Sequence, residues 1–240
     1  MNPEKNSLCN KILADSSLFK TLSSAELDKL LAYTRTKTYK RNKTIFSKGD
    51  EGGQLFAILS GTIKINTLSE EGKEITLAFL EKGDFFGEMA MFQDEYRTAT
   101  AIMHSEGEVL IIEYLKFLSF LEKMPKVAIK LIQVLSKRLR EADELLEDTL
   151  FLNLPVRLAK KLLSLAVYHG KKKDKEITIN LKLTQTELGS LVNSSRESIN
   201  KLMRDWKEAE IVDFKEGYIT IKNVQSLENL AGGYKSYNLI

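Results

Sequence analysis

Phe86-Gly87-Glu88-Met89-Ala90-Met91-Phe92-Gln93-Asp94-Glu95-Tyr96-Arg97-Thr98-Ala99-Thr100-Ala101 sets one carboxylate, Glu88, nine residues before one guanidinium, Arg97. A glycine precedes the first and a hydroxyl follows the second, with small apolar residues filling the gaps. A buried phosphate calls for a bidentate cation, which arginine supplies better than lysine. Ribose hydroxyls call for an acceptor, which Glu88 supplies. Gly87 lets backbone N–H groups approach an anion closely, and Thr98 adds one more donor. The stretch has the chemistry of a sugar-phosphate site.

In residue types and in the Glu-to-Arg step, Phe86-Gly87-Glu88-x-Ala90 with Arg97-x-Ala99 resembles the phosphate-binding cassette of cyclic-nucleotide-binding domains. That resemblance brings Met89 into the candidate ligand-binding set beside Gly87, Glu88, Arg97 and Thr98. The sequence around it agrees. A helical opening, Ala25–Leu31, leads into short β-like runs at Lys43–Phe46, Gln54–Leu59, Gly61–Leu68, Glu74–Leu80 and Glu108–Ile112. Glycine-bearing turn signals at Lys48-Gly49-Asp50, Ser60-Gly61, Glu71-Gly72 and Lys82-Gly83-Asp84 separate them. Short strands at this spacing predict a small barrel or jelly roll, with the cassette as its one helical interruption.

From Pro125 to Leu150 the pattern predicts a long helix, with proline in its first turn. Ile132, Leu135, Leu139, Ala142, Leu146 and Thr149 recur in alternating steps of three and four, a heptad seam suited to a second copy of the chain. Packing on its own barrel is the alternative. The charged residues Lys137, Arg138, Arg140, Glu141, Glu144 and Glu147 on the other faces favour the narrow stripe.

Pro155 opens a smaller unit: a helix over Val156–Tyr168, a strand over Glu176–Leu181, two short helices, and a hairpin of Ile211–Phe214 with Tyr218–Ile221. Thr184-Gln185-Thr186-Glu187 reads as a capping box, and Ser194-Ser195-Arg196-Glu197 as a second one ten residues later. Two caps so close leave room for a helix, a tight turn and another helix. Leu188, Leu191, Val192, Ile199, Leu202 and Met203 form the inner face, Gly189 allows close crossing, and Asn193 suits a positive φ in the turn. The second helix then presents Arg196, Glu197, Asn200 and Lys201 outward, residue types that read base edges. Lys171-Lys172-Lys173 is expected in a loop, either solvated or touching phosphates.

Cassette barrel, long helix and Ser195-Arg196-Glu197 opening a recognition helix together resemble the cyclic AMP receptor protein/FNR (Crp/Fnr) family of bacterial transcription regulators, over all but the first dozen and last ten residues. The resemblance implies an α+β chain with three parts. These are an N-terminal jelly-roll, cyclic-nucleotide-binding-like effector domain (1–124), a dimerisation helix (125–152) and a C-terminal winged helix-turn-helix (153–240). It implies that Glu88 holds the ribose 2′-hydroxyl, that Arg97 and Thr98 hold the cyclic phosphate, and that Arg196, Glu197 and Lys201 read the major groove, with Thr184, Ser195 and Asn200 beside them. The implied partners are a pseudo-palindromic operator, a second copy of the chain and RNA polymerase. The effector is a cyclic nucleotide, with no other cofactor.

The chain departs from the family at two points. Where cyclic AMP-dependent members carry a Thr-Ser pair that bonds the adenine, ungapped alignment puts Ala142 and Asp143. Ala142 cannot bond a base, whereas ionised Asp143 accepts only, from an adenine amino group or from the N1–H and N2 donors of guanine. On the intact cassette cyclic AMP comes first, with a guanine nucleotide (cyclic GMP or cyclic di-GMP) second and a ligand-independent member third. Lys201 replaces an arginine-type base reader and gives up the planar fork, so the expected operator is related but not identical.

The 240 residues suit one or two cored domains, and no apolar run reaches membrane-spanning length. The polar N-terminus leads into no signal-type core. One cysteine, Cys9, and two histidines, His104 and His169, argue against iron–sulfur, zinc and haem sites and fit a cytoplasmic, metal-free protein. Net charge is +3, yet from Pro155 onward 15 basic residues face 10 acidic ones, so the basic excess lies in the DNA-reading part. No nucleophile–base pair emerges, so an enzyme is the weakest class. A sensor acting only through protein contacts would leave the capped helix pair unexplained. The tail Gly232–Ile240 is expected to be mobile.

Overall fold

The computed structural model describes residues 3–91 and 96–232. Residues 92–95 of the cassette and 233–240 of the tail lie outside the described residues, and with them the expectation of a mobile tail. The chain divides into two compact units, Met1–Ala142 and Asp143–Ile240, and each is described by itself.

The first unit opens with α1 (Pro3–Ala14) and α2 (Ser24–Leu31). The hydroxyl of Ser23 accepts from the Glu26 amide while the Glu26 carboxylate accepts from the Ser23 amide, a capping box that satisfies two otherwise orphaned donors. Lys126 donates to both Glu26 oxygens at 2.9 Å. The Ser23 amide first, then Lys126, hold the Glu26 carboxyl at about 2.

Strands β1 (Thr34–Tyr39), β2 (Thr44–Phe46), β3 (Gln54–Leu68), β4 (Glu74–Leu80), β5 (Phe85–Phe86) and β6 (Thr100–Glu113) follow, with a 3-10 turn at Met89–Met91 among the described residues of the cassette. Every pairing among the six is antiparallel, along the path β1-β6-β3-β4, with β2 on β6 and β5 on β3. The runs expected as two strands, Gln54–Leu59 and Gly61–Leu68, are one. Its register against β6 shifts around Ser60, where a Cβ on Gly61 (φ +82°) would lie 2.8 Å from the Glu106 carbonyl. Glycine allows a bulge there without ending the strand. Likewise Glu108–Ile112 is only the end of β6. The Thr34-Arg35-Thr36-Lys37-Thr38-Tyr39 strand escapes pattern reading because it has no apolar alternation and pairs on one side only.

The first part of β3 is buried on both faces, which is why Leu55–Leu59 reads as a continuous apolar run. Phe56 and Ile58 join Ile63, Phe86, Met103 and Val109 in one core. Leu55, Ala57 and Leu59 pack instead with Phe19 of the α1–α2 connection and with residues of α1, α2, α3 (Tyr114–Lys123) and the start of α4, including Leu27, Phe117, Val127 and Leu131. Phe56 and Phe86 stack with centroids 5.0 Å apart, worth about 1 kcal/mol beyond their burial.

Helix α4 runs from Pro125 to Phe151 without a break. Its first turns pack on the unit's own core through Val127 and Leu131, and seam residue Leu135 is partly taken up there as well. Further on the stripe is bare: Ile132, Leu139 and Leu146 are 62%, 64% and 59% exposed, and Ala142 is exposed too. Thr149 is half-buried and turns its hydroxyl back onto the Leu145 carbonyl. The expected packing on the unit's own core thus occurs at the start of the helix, and the stripe expected to meet a second copy stands exposed.

The second unit contains α5 (Leu154–His169), β7 (Gly170–Lys173), β8 (Glu176–Ile179), α6 (Gln185–Leu191), α7 (Arg196–Glu208), β9 (Val212–Lys215), β10 (Tyr218–Ile221) and α8 (Val224–Leu230). Its sheet has the order β7-β8-β10-β9. Lys171-Lys172-Lys173 is thus a strand at the sheet edge rather than a loop. The register of β7 on β8 fixes it, and lysines are a common way to blunt an edge. The β9–β10 hairpin turns through Glu216-Gly217, both at positive φ, as a tight two-residue connection requires. No helix among the described residues is long and apolar enough to cross a membrane, and no group of three or more His, Cys, Asp or Glu among them could hold a metal ion.

Candidate functional site

Arg97 lies within the barrel, 5% exposed. Its two terminal nitrogens donate to the carbonyls of Gly87 at 2.8 Å and Gln54 at 2.9 Å. The guanidinium lies over Phe46, 4.3 Å from the ring centroid, with Phe56 at 5.6 Å. A Cβ at position 87 would stand 2.8 Å from an Arg97 nitrogen, and Gly87 has φ +85°, so glycine is needed both for the backbone and for the guanidinium. Burial pulls the guanidinium below its ordinary range, while Glu88 and Asp50 oppose that shift. Arginine stays cationic through such a shift. Its Nε is buried with no partner among the described residues. A cavity of about 380 Å³, in the range of small-molecule pockets, lies beside it between Phe46, Phe56 and the Asp50–Gly53 turn.

Glu88 is 2% exposed, and its partner comes from a distant part of the chain. Arg138 of α4 donates to Glu88 Oε1 at 2.6 Å and to the Phe85 carbonyl at 2.5 Å, with its guanidinium 4.9 Å from the Phe85 ring centroid. Arg138 therefore does not belong to the solvated charged face expected of it, since a buried carboxylate without a cation would be unfavourable by several kcal/mol. Fifty residues separate the pair, so no local spacing could reveal it. Glu88 Oε2 remains buried and unpartnered among the described residues. Asp84, in the preceding turn, has its carboxyl raised by burial, partly offset by the Glu81 amide and Arg138.

Thr98 is exposed, with its hydroxyl 3.8 Å from the Met89 sulfur, and Met89 is 60% exposed. The structure thus brings Gly87, Glu88 and Arg97 together in the interior and leaves Met89 and Thr98 at the rim. Ala142 and Asp143 stand exposed on α4.

In the second unit, Thr184 and Glu187 form the expected capping box: the Thr184 hydroxyl accepts from the Glu187 amide at 3.1 Å and the Glu187 carboxylate accepts from the Thr184 amide at 2.9 Å. The second box does not form. Asn193 takes φ +52° and the Ser194 amide still bonds the Gly189 carbonyl, so Ser194 belongs to the turn. α7 starts one residue later, capped by Ser195 on the Ser198 amide, and its third position is a serine in place of a glutamate. A Cβ on Gly189 would sit 2.7 Å from the Ser194 carbonyl, the close approach expected of it. Leu188, Leu191, Val192, Ile199 and Met203 are buried and Leu202 is half-buried. Arg196, Glu197, Asn200 and Lys201 are all exposed. Two contacts were not foreseen. Arg157 of α5 ties the Leu152 carbonyl at 2.7 Å to the Val192 carbonyl at 3.2 Å, and Gln185 bonds Asn200 at 2.9 Å.

An antiparallel barrel with a buried carboxylate and guanidinium, followed by a long helix and a winged helix-turn-helix, defines a ligand-sensing DNA-binding regulator. Residues 36–124 match the cyclic nucleotide-binding domain, and residues 156–230 match the Crp-like helix-turn-helix domain. The chain belongs to the Crp/Fnr family of bacterial transcription regulators, whose matched domains and relatives are regulators rather than enzymes. It is 31% identical over 218 residues to the cyclic AMP receptor protein of Thermus thermophilus, across 91% of this chain and 98% of that one. It is 30% identical over 197 residues to a CRP-like cAMP-activated global transcriptional regulator of Mycobacterium tuberculosis, across 82% and 88%. A CooA variant from Carboxydothermus hydrogenoformans shares the fold with a TM-score of 0.78 at 24% identity, over 91% of this chain and 97% of that one.

Proposed function

We propose that this chain acts in the cytoplasm as a homodimeric transcription regulator whose operator binding is gated by a cyclic nucleotide, cyclic AMP before the guanine nucleotides. The observation that carries it is the pair of buried, unsatisfied atoms in the barrel, Glu88 Oε2 and Arg97 Nε. Buried polar groups are nearly always hydrogen-bonded, so two of opposite character in one domain call for a ligand that both donates and accepts. A ribose hydroxyl suits the first and a cyclic phosphate the second. Phosphate binding would compete with the Gly87 and Gln54 carbonyls for the Arg97 guanidinium, and Thr98 at the rim offers a further donor.

Arg138 links this site to α4, because any ligand that draws on Glu88 also weakens or strengthens its hold on that helix. The bare stripe of Ile132, Leu139 and Leu146 supports a seam with a second copy. Changing Leu139 to Glu should convert a sedimenting dimer to monomer; an unchanged dimer would place the seam elsewhere. Two-fold symmetry then sets half-sites about 34 Å apart, each read by Arg196, Glu197 and Lys201, with RNA polymerase as the downstream partner. A ligand shifts the DNA-binding equilibrium only by its differential affinity for the two forms.

Asp143, an exposed acceptor where the cyclic AMP-dependent relatives bond adenine, is the specific feature favouring cyclic GMP or cyclic di-GMP as the second choice. Calorimetric titration with the three nucleotides decides between them. Cyclic AMP should bind most tightly; tighter binding of a guanine nucleotide would assign Asp143 the base, and no heat with any would remove the effector role.

A further inference from the structure

Resting on the DNA-reading proposal, we infer that Gln185 is a positioning residue for operator specificity, because it fixes which end of the Asn200 amide faces the base pairs. Gln185 is the first residue of α6, directly after the Thr184 cap, and Asn200 lies on the outer face of α7 between Arg196 and Lys201. The Gln185 amino group donates to Asn200 Oδ1 at 2.9 Å, a side-chain bond between the two helices. In a helix-turn-helix the first helix crosses the DNA backbone while the early residues of the second reach base edges. The bond therefore joins the helix that sets the docking to a side chain in reach of the bases.

An asparagine amide is ambiguous by itself. It can show a base its carbonyl, its amino group, or both together as in a bidentate contact to adenine. With Oδ1 occupied by Gln185, Asn200 offers its Nδ2 donors. These match an acceptor in the major groove: guanine O6 or N7, adenine N7, or thymine O4. Glutamine carries both a donor and an acceptor, and here its amino group meets Asn200 and sets the asparagine's orientation. A partner that only donates, or only accepts, therefore dictates which end of Asn200 is shown.

Operator selection from a randomised duplex library, by the full chain with cyclic AMP, cyclic GMP and cyclic di-GMP all present, tests this with four variants. Asn200→Ala should erase the preference at one base pair of each half-site, losing roughly 5–150-fold there. Gln185→Lys, a pure donor, should keep the parent's preference. Gln185→Glu, a pure acceptor, should turn Asn200 over and favour a donor-bearing base, adenine N6 or cytosine N4, at the same position. Gln185→Ala should relax that position without selecting a new base. Variants that weaken binding equally on all sequences, with the parent's base preferences kept, would make the contact a structural brace and overturn the inference. A parent that selects no sequence at all would overturn the DNA-reading proposal, and the inference with it.

Discussion

Inside the barrel, Glu88 and Arg97 are 2% and 5% exposed, whereas Arg196, Glu197, Asn200 and Lys201 on α7 all stand in solvent. Both groups carry the charges proposed to meet a ligand, and they hold them in opposite ways. The barrel charges are withheld from water and anchored by Arg138, the Gly87 and Gln54 carbonyls and the Phe46 ring, so the protein already bears their desolvation cost. A small ligand that satisfies the leftover atoms gains from a site that needs little rearrangement. The α7 charges remain hydrated, so a polyanion can attract them at long range and lose that attraction as salt rises. The first arrangement suits selective capture of one molecule, and the second suits a search along DNA.

The contrast breaks most visibly at Arg97. Replacing it with Ala removes a charge-assisted pair of donors, each worth about 1.5–3 kcal/mol, so nucleotide affinity should fall by roughly 100-fold or more while far-UV circular dichroism stays unchanged. Affinity within a few-fold of the parent would mean that the buried guanidinium is structural. Arg138→Met should act next most strongly, but on stability. It leaves Glu88 buried without its cation, which costs about 3 kcal/mol, toward the low end for such pairs because the Arg138 side chain is 28% exposed. Urea unfolding measures this, and Glu88→Gln in the same background should restore part of the loss. An undiminished midpoint would contradict the pairing.

Arg196→Ala on the reading head should cost about 1–3 kcal/mol at one base pair and leave thermal stability alone. An equal loss on every sequence would make Arg196 a phosphate contact instead. The smallest effect belongs to Glu26, whose carboxyl is held at about 2 against an ordinary 4.5 by the Ser23 amide and Lys126. A lowered folded value stabilises fully above pH 4.5 and loses that contribution as pH falls toward 2. The Tm difference between parent and Glu26→Gln should therefore be larger at pH 7 than at pH 3; a difference independent of pH would exclude the carboxylate as its source.

These two regions also differ in how far the sequence reveals them. The helix-turn-helix is legible because its determinants are local: Thr184 caps Glu187, Asn193 takes the turn, and the inner apolar face recurs at helical spacing. The second capping box, expected at Ser194, is absent because Ser194 is still bonded to Gly189 and the helix starts one residue later. In the barrel the cassette identifies Glu88 and Arg97 by type and spacing, yet their partners come from distant segments. Gln54 and Arg138 lie 43 and 50 residues from the groups they bind. Register shifts of β3 on β6 and the polar β1 edge are similarly set by pairing rather than by pattern. Lys171–Lys173 reads as a loop because lysine disfavours strands in isolation, and pairing with β8 overrides that preference.

On the proposed function, the withheld charges of the barrel control the displayed charges of the reading head. The most direct test titrates cyclic AMP into the parent protein and Arg97→Ala on a selected operator, following DNA affinity by fluorescence anisotropy. A saturable tightening is expected in the parent and not in Arg97→Ala, with both proteins equal on non-specific DNA. An operator affinity indifferent to cyclic AMP, cyclic GMP and cyclic di-GMP, or an undiminished response in Arg97→Ala, would contradict it.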